Sequence, residues 1–262
     1  MFKALTTSAT GLEAQQANID RIANDLANVN TDGYKRDTTE FQDLMYDTIK
    51  EPGAKLGASS TTPVGIQEGM GVKVGASHKI FEQGSAKVTN NPYDLMVEGK
   101  GFFPVTLPNT GEVVYTRAGA FKVDAQGRLG TSSGALLEPQ ITIPNNATSV
   151  VIGPDGQVKA YDSQGAESQL GQIQLVNFVN PQGLMAIGGN FYKSTAGSGQ
   201  PQQGVPGENG VGTVMQGALE ASNVNVANTM VEMINAQRGF EMNTRVMGVA
   251  DKMLEATANI VR

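Results

Sequence analysis

Residues 26–36 read LANVNTDGYKR and residues 221–227 read ASNVNVA. The same Asn-Val-Asn tripeptide closes one helical pattern near the start of the chain and opens another near its end, which predicts that the two ends are neighbours. Upstream of the first tripeptide, the three-and-four spacing picks out Phe2, Leu5, Ala9, Leu12, Gln16, Ile19, Ala23 and Leu26, an apolar heptad seam with one polar member. The helix is expected to stop at Thr31-Asp32-Gly33, where Gly33 takes the left-handed cap conformation, and Tyr34-Lys35-Arg36 lead out of it. Downstream of the second tripeptide, Met233, Phe240, Met247, Leu254 and Val261 recur in heptad register, with Val226, Met230, Ala258 and the polar trio Gln237, Thr244 and Asp251 at the alternate positions. Ile234, Val246, Val249, Ala250, Met253 and Ile260 widen this face, as suits a helix touching more than one neighbour. Ser222 or Asn223 is the expected N-cap.

Between the ends the register changes. Turn signals PNTG, DAQG, TSSG, PNN, GPDG, DSQG and NPQG punctuate residues 105–185, separating short alternating runs such as EVVYT, AFKVD, SVVI and QIQLVNFV. This pattern predicts an antiparallel sandwich or barrel inserted between the helices. Residues 50–69 and 194–212 are rich in Gly, Ser, Thr and Pro and read as linkers, or as extended arms docked on something else.

Composition narrows the function. The 262 residues can bury a core, but aromatics are only 6% and Trp is absent, so that core is aliphatic. A net charge of -6 leaves no basic footprint for nucleic acid. With no cysteine there is neither a disulfide nor a thiolate site. The N-terminal stretch lacks the apolar block of a secretory signal, and no apolar run is long enough to span a bilayer, so neither Sec export nor membrane insertion is expected.

Catalytic inventory is thin. His78 is the single histidine and lies in VGASHKIF with no G-x-S-x-G nearby, which excludes imidazole-based metal sites and leaves any triad without a nucleophile. No D-x-D-x-D-G calcium loop is present. Asp124, Asp155 and Asp162 fall in turns, where Asp serves the backbone, and Glu98, Glu112, Glu138 and Glu167 neighbour turns. The glycines of GMGVKVG at 69–75 have the wrong spacing for a nucleotide loop. The chain is therefore read as non-enzymatic, with no cofactor and no metal. A cell-wall glycosidase would need two carboxylates facing one cleft. A pilus-like adhesin would share the strands but has no use for heptads at both ends.

Two amphipathic ends can fold back as a hairpin on the sheet domain, form a dimer stalk, or serve as polymerisation elements of a filament. The third is favoured: Ala9, Ala23, Ala250 and Ala258, with Gln16, Gln237, Thr244 and Asp251, suit close multi-helix packing better than an isolated coiled coil. One intramolecular pair of helices buries little, so the ends are expected to order only with neighbouring subunits.

Several longer blocks carry a resemblance. IANDLANVNTDGYKRDTTEF (22–41), EQGSAKVTNNPYDLMVEGKGFFPV (82–105), YTRAGAFKVD (115–124), LGQIQLVNFVNPQGL (170–184), QGALEASNVNV (216–226) and MINAQRGFEMNTRVM (233–247) resemble, in order and over nearly the full length, the axial rod and hook proteins of the bacterial flagellum. The extended segment ending in PVGIQEGMGV (63–72) resembles the distal-rod branch of that family more than the proximal-rod or hook-type paralogues, which remain the alternative. Tyr93, Met96, Gly239 and the stretch Ala227-Asn228-Thr229 depart from the usual pattern; Gly239 should cost about 1 kcal/mol in a helix interior.

The resemblance implies an α+β chain in which residues 1–33 form a core helix pairing with residues 222–262 in a coiled-coil-like core domain. Residues 34–69 would be an extended connector arm, 70–212 an all-β outer domain and 213–221 a return connector. It also implies a structural subunit that leaves through the flagellar type III export apparatus and lies in the periplasm-spanning rod of the basal body. Its partners would be its own copies in a helical polymer, the proximal rod proteins, the hook protein and the outer bushing (P and L) rings. Leu5, Leu12, Ile19, Leu26, Met233, Phe240, Met247, Leu254 and Val261 would be polymerisation residues. Asn24, Asn28, Asn30, Gly33, Tyr34, Asn223 and Asn225 would form the helix-end motif, and Tyr46, Pro52, Pro63, Ile66 and Gly69 an inter-subunit arm that stiffens the shaft.

Overall fold

A computed structural model describes residues 2–53, 63–108, 110–163 and 165–260. The chain is α+β: helix α1 (Phe2–Ala27) and helix α2 (Val226–Ile260) bracket a long β region. It divides into two compact units. One gathers the described residues of 1–26, 37–78 and 225–262, the other residues 27–36 and 79–224. The first is called the helical unit below and the second the β unit.

In the helical unit α1 and α2 run antiparallel. Arg21 reaches Glu232, a Cβ on Gly239 would meet Gln15, and one on Gly11 would meet Asn243; steps up one helix match steps down the other. The helix-weakening Gly239 thus has a use, since it admits the Gln15 side chain. The heptad period holds but its phase needs correcting. Leu5, Leu12, Ile19 and Leu26, like Met233, Phe240, Met247 and Leu254, are half-buried. The alternate positions lie one residue earlier than expected: buried Ser8 and Ile22 and half-buried Gln15 take the inward line, leaving Gln16 and Ala23 exposed. On α2 Thr229, Ala236 and Ala250 are buried and Asn243 half-buried, whereas Met230, Gln237, Thr244, Asp251 and Ala258 are exposed. Small and polar side chains face inward because they let two backbones approach, a preference that counting apolar residues does not detect. Val261 lies outside the described residues.

The rest of this unit is a pair of ribbons. Asp37–Asp43 pairs with Val72–Lys79, so the strand after residue 70 stays with the helices rather than opening the β domain. Tyr46–Lys50 pairs with Ile66–Gly69 antiparallel, Tyr46 opposite Gly69. The expected extended arm is therefore a β-hairpin where it is described; residues 54–62 lie outside the described residues. Lys3 binds Asp47 at 2.6 Å and Glu68 at 3.0 Å, and Thr10 Oγ1 crowds Gly71 and accepts from Val72 N.

In the β unit, seven strands form one antiparallel sheet in the order Met185–Gly188, Phe191–Lys193, Val113–Thr116, Phe103–Thr106, Leu136–Leu137, Leu129–Gly130 and Lys122–Val123. A three-stranded sheet comprises Ala147–Ile152, Gln157–Asp162 and Glu167–Gln172. Their inner faces share one core including Leu95, Val97, Phe103, Val114, Leu137, Ile152, Val158, Ile173 and Leu175. The turn signals land where read. Asp124 Oδ1 accepts from the amides of Gln126 and Arg128, and Gly127, Gly134, Gly156 and Gly165 each close a tight turn at positive φ. A smaller aromatic cluster forms around Phe102, Tyr115, Phe178 and Tyr192, packed edge to face.

Two connector expectations are corrected. Thr213–Gln216 pairs with Leu95–Glu98 and Ala218–Glu220 with Ala86–Val88, so the return connector is two strands. Residues 194–212 are packed rather than linking: Gln202–Gly204 pairs with Leu175–Asn177, Ser198 and Val211 are buried, and Thr195 Oγ1 donates to Gly183 O at 2.6 Å. Backbone and hydroxyl bonds hold this segment in place of the apolar side chains it lacks. Gly119 allows the closest backbone approach in the core. A Cβ there would fall inside contact distance of the Leu95 carbonyl. Gly119→Ala is therefore expected to cost about 3 kcal/mol or more, read as a lowered urea midpoint for the β-unit transition.

Candidate functional site

The segment leaving α1 and the segment entering α2 lie side by side in the β unit, and their side chains form its most unusual feature. Gly33 takes φ +75° and donates its amide to Glu220 O at 2.7 Å. Its missing Cβ leaves room for the Ala118 backbone. Asn223 reaches across: its Oδ1 accepts from Arg36 N at 2.8 Å, and its Nδ2 donates to Ile80 O at 2.8 Å and Glu82 O at 3.3 Å. Tyr34 is buried beneath the Lys79 ammonium, 4.7 Å from its ring centre.

Beneath these contacts lies a buried ionic cluster. The side chains of Lys35 and Glu220 have 0% exposure and Arg117 4%. Lys35 Nζ donates to Glu220 Oε1 and to Glu82 O, both at 2.6 Å. Glu220 Oε1 also accepts from Gly84 N at 2.9 Å, while Oε2 faces Arg117 Nη1 at 3.4 Å. Arg117 Nη2 donates to Gly99 O at 2.8 Å, and its guanidinium lies 5.3 Å from the Phe102 ring centre. Two cations share one carboxylate, and carbonyls and a ring face supply the remaining negative potential. Burial, opposed by Glu220, holds the Lys35 ammonium below its usual pKa, and burial does the same to Arg117. Arg117 Nε is buried without a hydrogen-bond partner.

In the helical unit a second network fixes the end of α1. Asp25, 3% exposed, accepts from Arg21 Nη1 at 3.0 Å through one oxygen and from Asp37 N at 3.0 Å through the other. Arg21 also donates to Asp37 O and to Asn18 Oδ1.

The helix-end residues therefore divide by role. Asn225, not Ser222 or Asn223, caps α2: its Oδ1 accepts from Asn228 N at 3.2 Å and its carbonyl from Thr229 N. Asn223 is a clamp between strand ends. Asn28 accepts from the Thr31 hydroxyl, while Asn24 and Asn30 are exposed. α1 itself ends at Ala27, earlier than Gly33, because the residues after it turn into the β unit. The arm residues Tyr46, Pro52, Pro63, Ile66 and Gly69 are all exposed on or beside the hairpin. Sequence reading missed Lys35, Arg117 and Glu220. The available signal was a charge embedded in small and apolar strand residues, YTRAGAF and GALEAS.

Among the described residues no group of acidic or histidine side chains is arranged to hold a metal, and no helix is long and apolar enough to cross a membrane.

Comparison with known proteins fits this geometry. Residues 5–35 match the flagella basal body rod protein family, residues 96–160 the flagellar hook protein FlgE/F/G D1 domain, and residues 215–260 the flagellar basal body rod FlgEFG protein C-terminal family. Each member of the buried cluster falls in a different one of these segments. The chain is 45% identical over 261 residues to the flagellar basal-body rod protein FlgG of Caulobacter vibrioides, covering 99% of both. It is 44% identical over 265 residues to that of Borreliella burgdorferi, covering 100% of both. Against FlgG of Bacillus subtilis the identity is 34% over 271 residues, again covering 100% of both.

Removing the carboxylate leaves two buried cations without a counter-charge, so Glu220→Gln is expected to cost about 3–5 kcal/mol near neutral pH. The sign of its pH dependence follows from linkage. The folded pKa of Lys35 lies below the unfolded value of 10.5, so between the two the unfolded chain binds more protons and stability rises with pH. Glu220→Gln lowers the folded pKa further and widens that window. Urea midpoints at pH 7 and pH 10 should therefore show the variant recovering part of its deficit at the higher pH.

Proposed function

The chain belongs to the FlgG family of flagellar basal-body rod proteins, and from that premise we propose that it is a structural subunit of the distal rod. It polymerises through its two helices into a hollow, rigid shaft that carries motor torque to the hook and passes exported subunits through its lumen. Its partners are its own copies, the proximal rod proteins, the hook protein, the P and L rings and the type III export apparatus. It crosses to the periplasm, acts as no enzyme, and neither binds nucleic acid nor inserts in a membrane.

One observation carries this reading. α2 has 35 residues, yet among its described side chains the buried ones are Thr229, Ala236 and Ala250, all small, while the large apolar ones stay half-buried or exposed. A helix of this length gains most of its stability from packing an apolar face. The single chain leaves that face open, and neighbouring subunits close it. The inward lines of α1 and α2 make a coiled-coil-like pair inside each subunit, and the outward apolar residues join subunits. The hairpin is the bracing arm, with Tyr46 (55%), Ile49 (58%), Val64 (75%) and Ile66 (54%) exposed.

Placing a carboxylate in the outward face, as in Val249→Glu, should abolish sedimentable polymer while leaving the β-unit melting temperature unchanged; polymer of normal yield would refute the reading. Deleting residues 46–66 should leave shafts that still assemble but bend in electron micrographs, whereas shafts as straight as the parent's would remove the bracing role.

A further inference from the structure

The exposed apolar residues of α2 are not spread evenly around the helix. Taking the inward line Thr229–Met233–Ala236–Phe240–Asn243–Met247–Ala250–Leu254 as the reference, a turn of about 100° per residue places Val226, Met230 and Ile234 on one side of it. Met242, Val246, Val249 and Met253 fall on the other. All seven are exposed, from 39% at Val226 to 63% at Met242. The complementary positions are polar or lack a side chain. Beside the N-terminal half, the second side holds Asn228 and Asn235; beside the C-terminal half, the first side holds Glu241, Thr244, Gly248 and Glu255. Val231 lies at the back, in neither group. The apolar surface changes sides halfway along the helix.

From this arrangement, and resting on the rod reading above, we propose that the C-terminal patch of one α2 packs against the N-terminal patch of α2 in the next copy, the two helices lying parallel. The patches are centred some 17 to 18 residues apart, so the neighbour is displaced by about 26 Å along the helix axis. With that stagger only the apolar halves overlap, and each polar half extends past the end of the neighbouring helix. No stagger of zero does this, because an unshifted neighbour would set Met242, Val246 and Val249 against Glu241, Thr244 and Gly248. The occupant is a second copy because the two patches are the same in chemistry, Met, Val and Ile without charge or ring, and lie on opposite sides. Each chain thus carries both halves of one joint. Joints between unlike patches do not close on themselves in pairs but extend into a helical array.

The chain has no cysteine, which makes the test direct. Met230→Cys and Val246→Cys variants of the full chain, at positions that the proposed shift brings level to within about two residues, are assembled separately, mixed, and combined in one chain, then oxidised after pelleting. The expected result is a disulfide-linked dimer from the mixture, a ladder from the double variant, and neither from the single variants. A control pair on the polar sides, Asn235→Cys mixed with Glu241→Cys, should give no product. Single variants that link to themselves, or a mixture that pellets normally but yields no dimer, would overturn the staggered joint while leaving the rod reading intact. Failure of the parent chain to pellet at all would overturn both.

Discussion

The segment leaving α1 and the segment entering α2 meet at a carboxylate with no exposed surface. Glu220 lies between Lys35 and Arg117 and takes a further hydrogen bond from Gly84. Its backbone carbonyl accepts from Gly33. Breaking a buried ion pair is far more costly than forming it is profitable. Such a cluster is therefore better suited to specifying one arrangement than to adding stability. Here it specifies where the chain leaves α1 and where it enters α2. The β unit, with its own continuous core, holds those two segments in register without help from any neighbour.

The helices themselves are left incomplete. Their inward lines alternate half-buried Leu, Met and Phe with small and polar residues, Ser8, Gln15, Ala236 and Asn243 among them, with Gly11 and Gly239 each facing a longer side chain on the opposite helix. This packing brings the two backbones close but removes little apolar surface from water. Most of that surface on α2 faces outward, and the ribbon beside α1 exposes more, from Met45 and Tyr46 to Ile66. The β-unit core is complete in one chain, whereas the helices leave apolar surface for a neighbour to cover in the proposed polymer.

Much of this was legible in sequence. The helix period, the turn positions and the inserted β region follow from spacing alone, because glycine at positive φ and Asp at turn starts are local requirements. The phase of the helices was not. Counting apolar residues selects exposed side chains such as Met230 and overlooks the alanines and polar residues that meet the partner helix. The hairpin pairing 46–50 with 66–69 escaped notice because its strands, YDTIK and IQEG, are short and carry few apolar residues. The 194–212 segment escaped because hydroxyl and backbone bonds around Thr195 and Ser198 hold it. Lys35, Arg117 and Glu220 escaped because their partners in the cluster lie far apart in sequence.

In the proposed rod subunit the β unit is complete in one chain and α2 is completed by neighbours. Amide hydrogen exchange on the full chain, dilute and then assembled, tests it most directly. Residues 226–260 should exchange rapidly in the dilute chain, while the amides of Leu95, Val97 and Val114 are already protected, and 226–260 should become protected on assembly. Protection of 226–260 in the dilute monomer equal to that of Leu95 would contradict it.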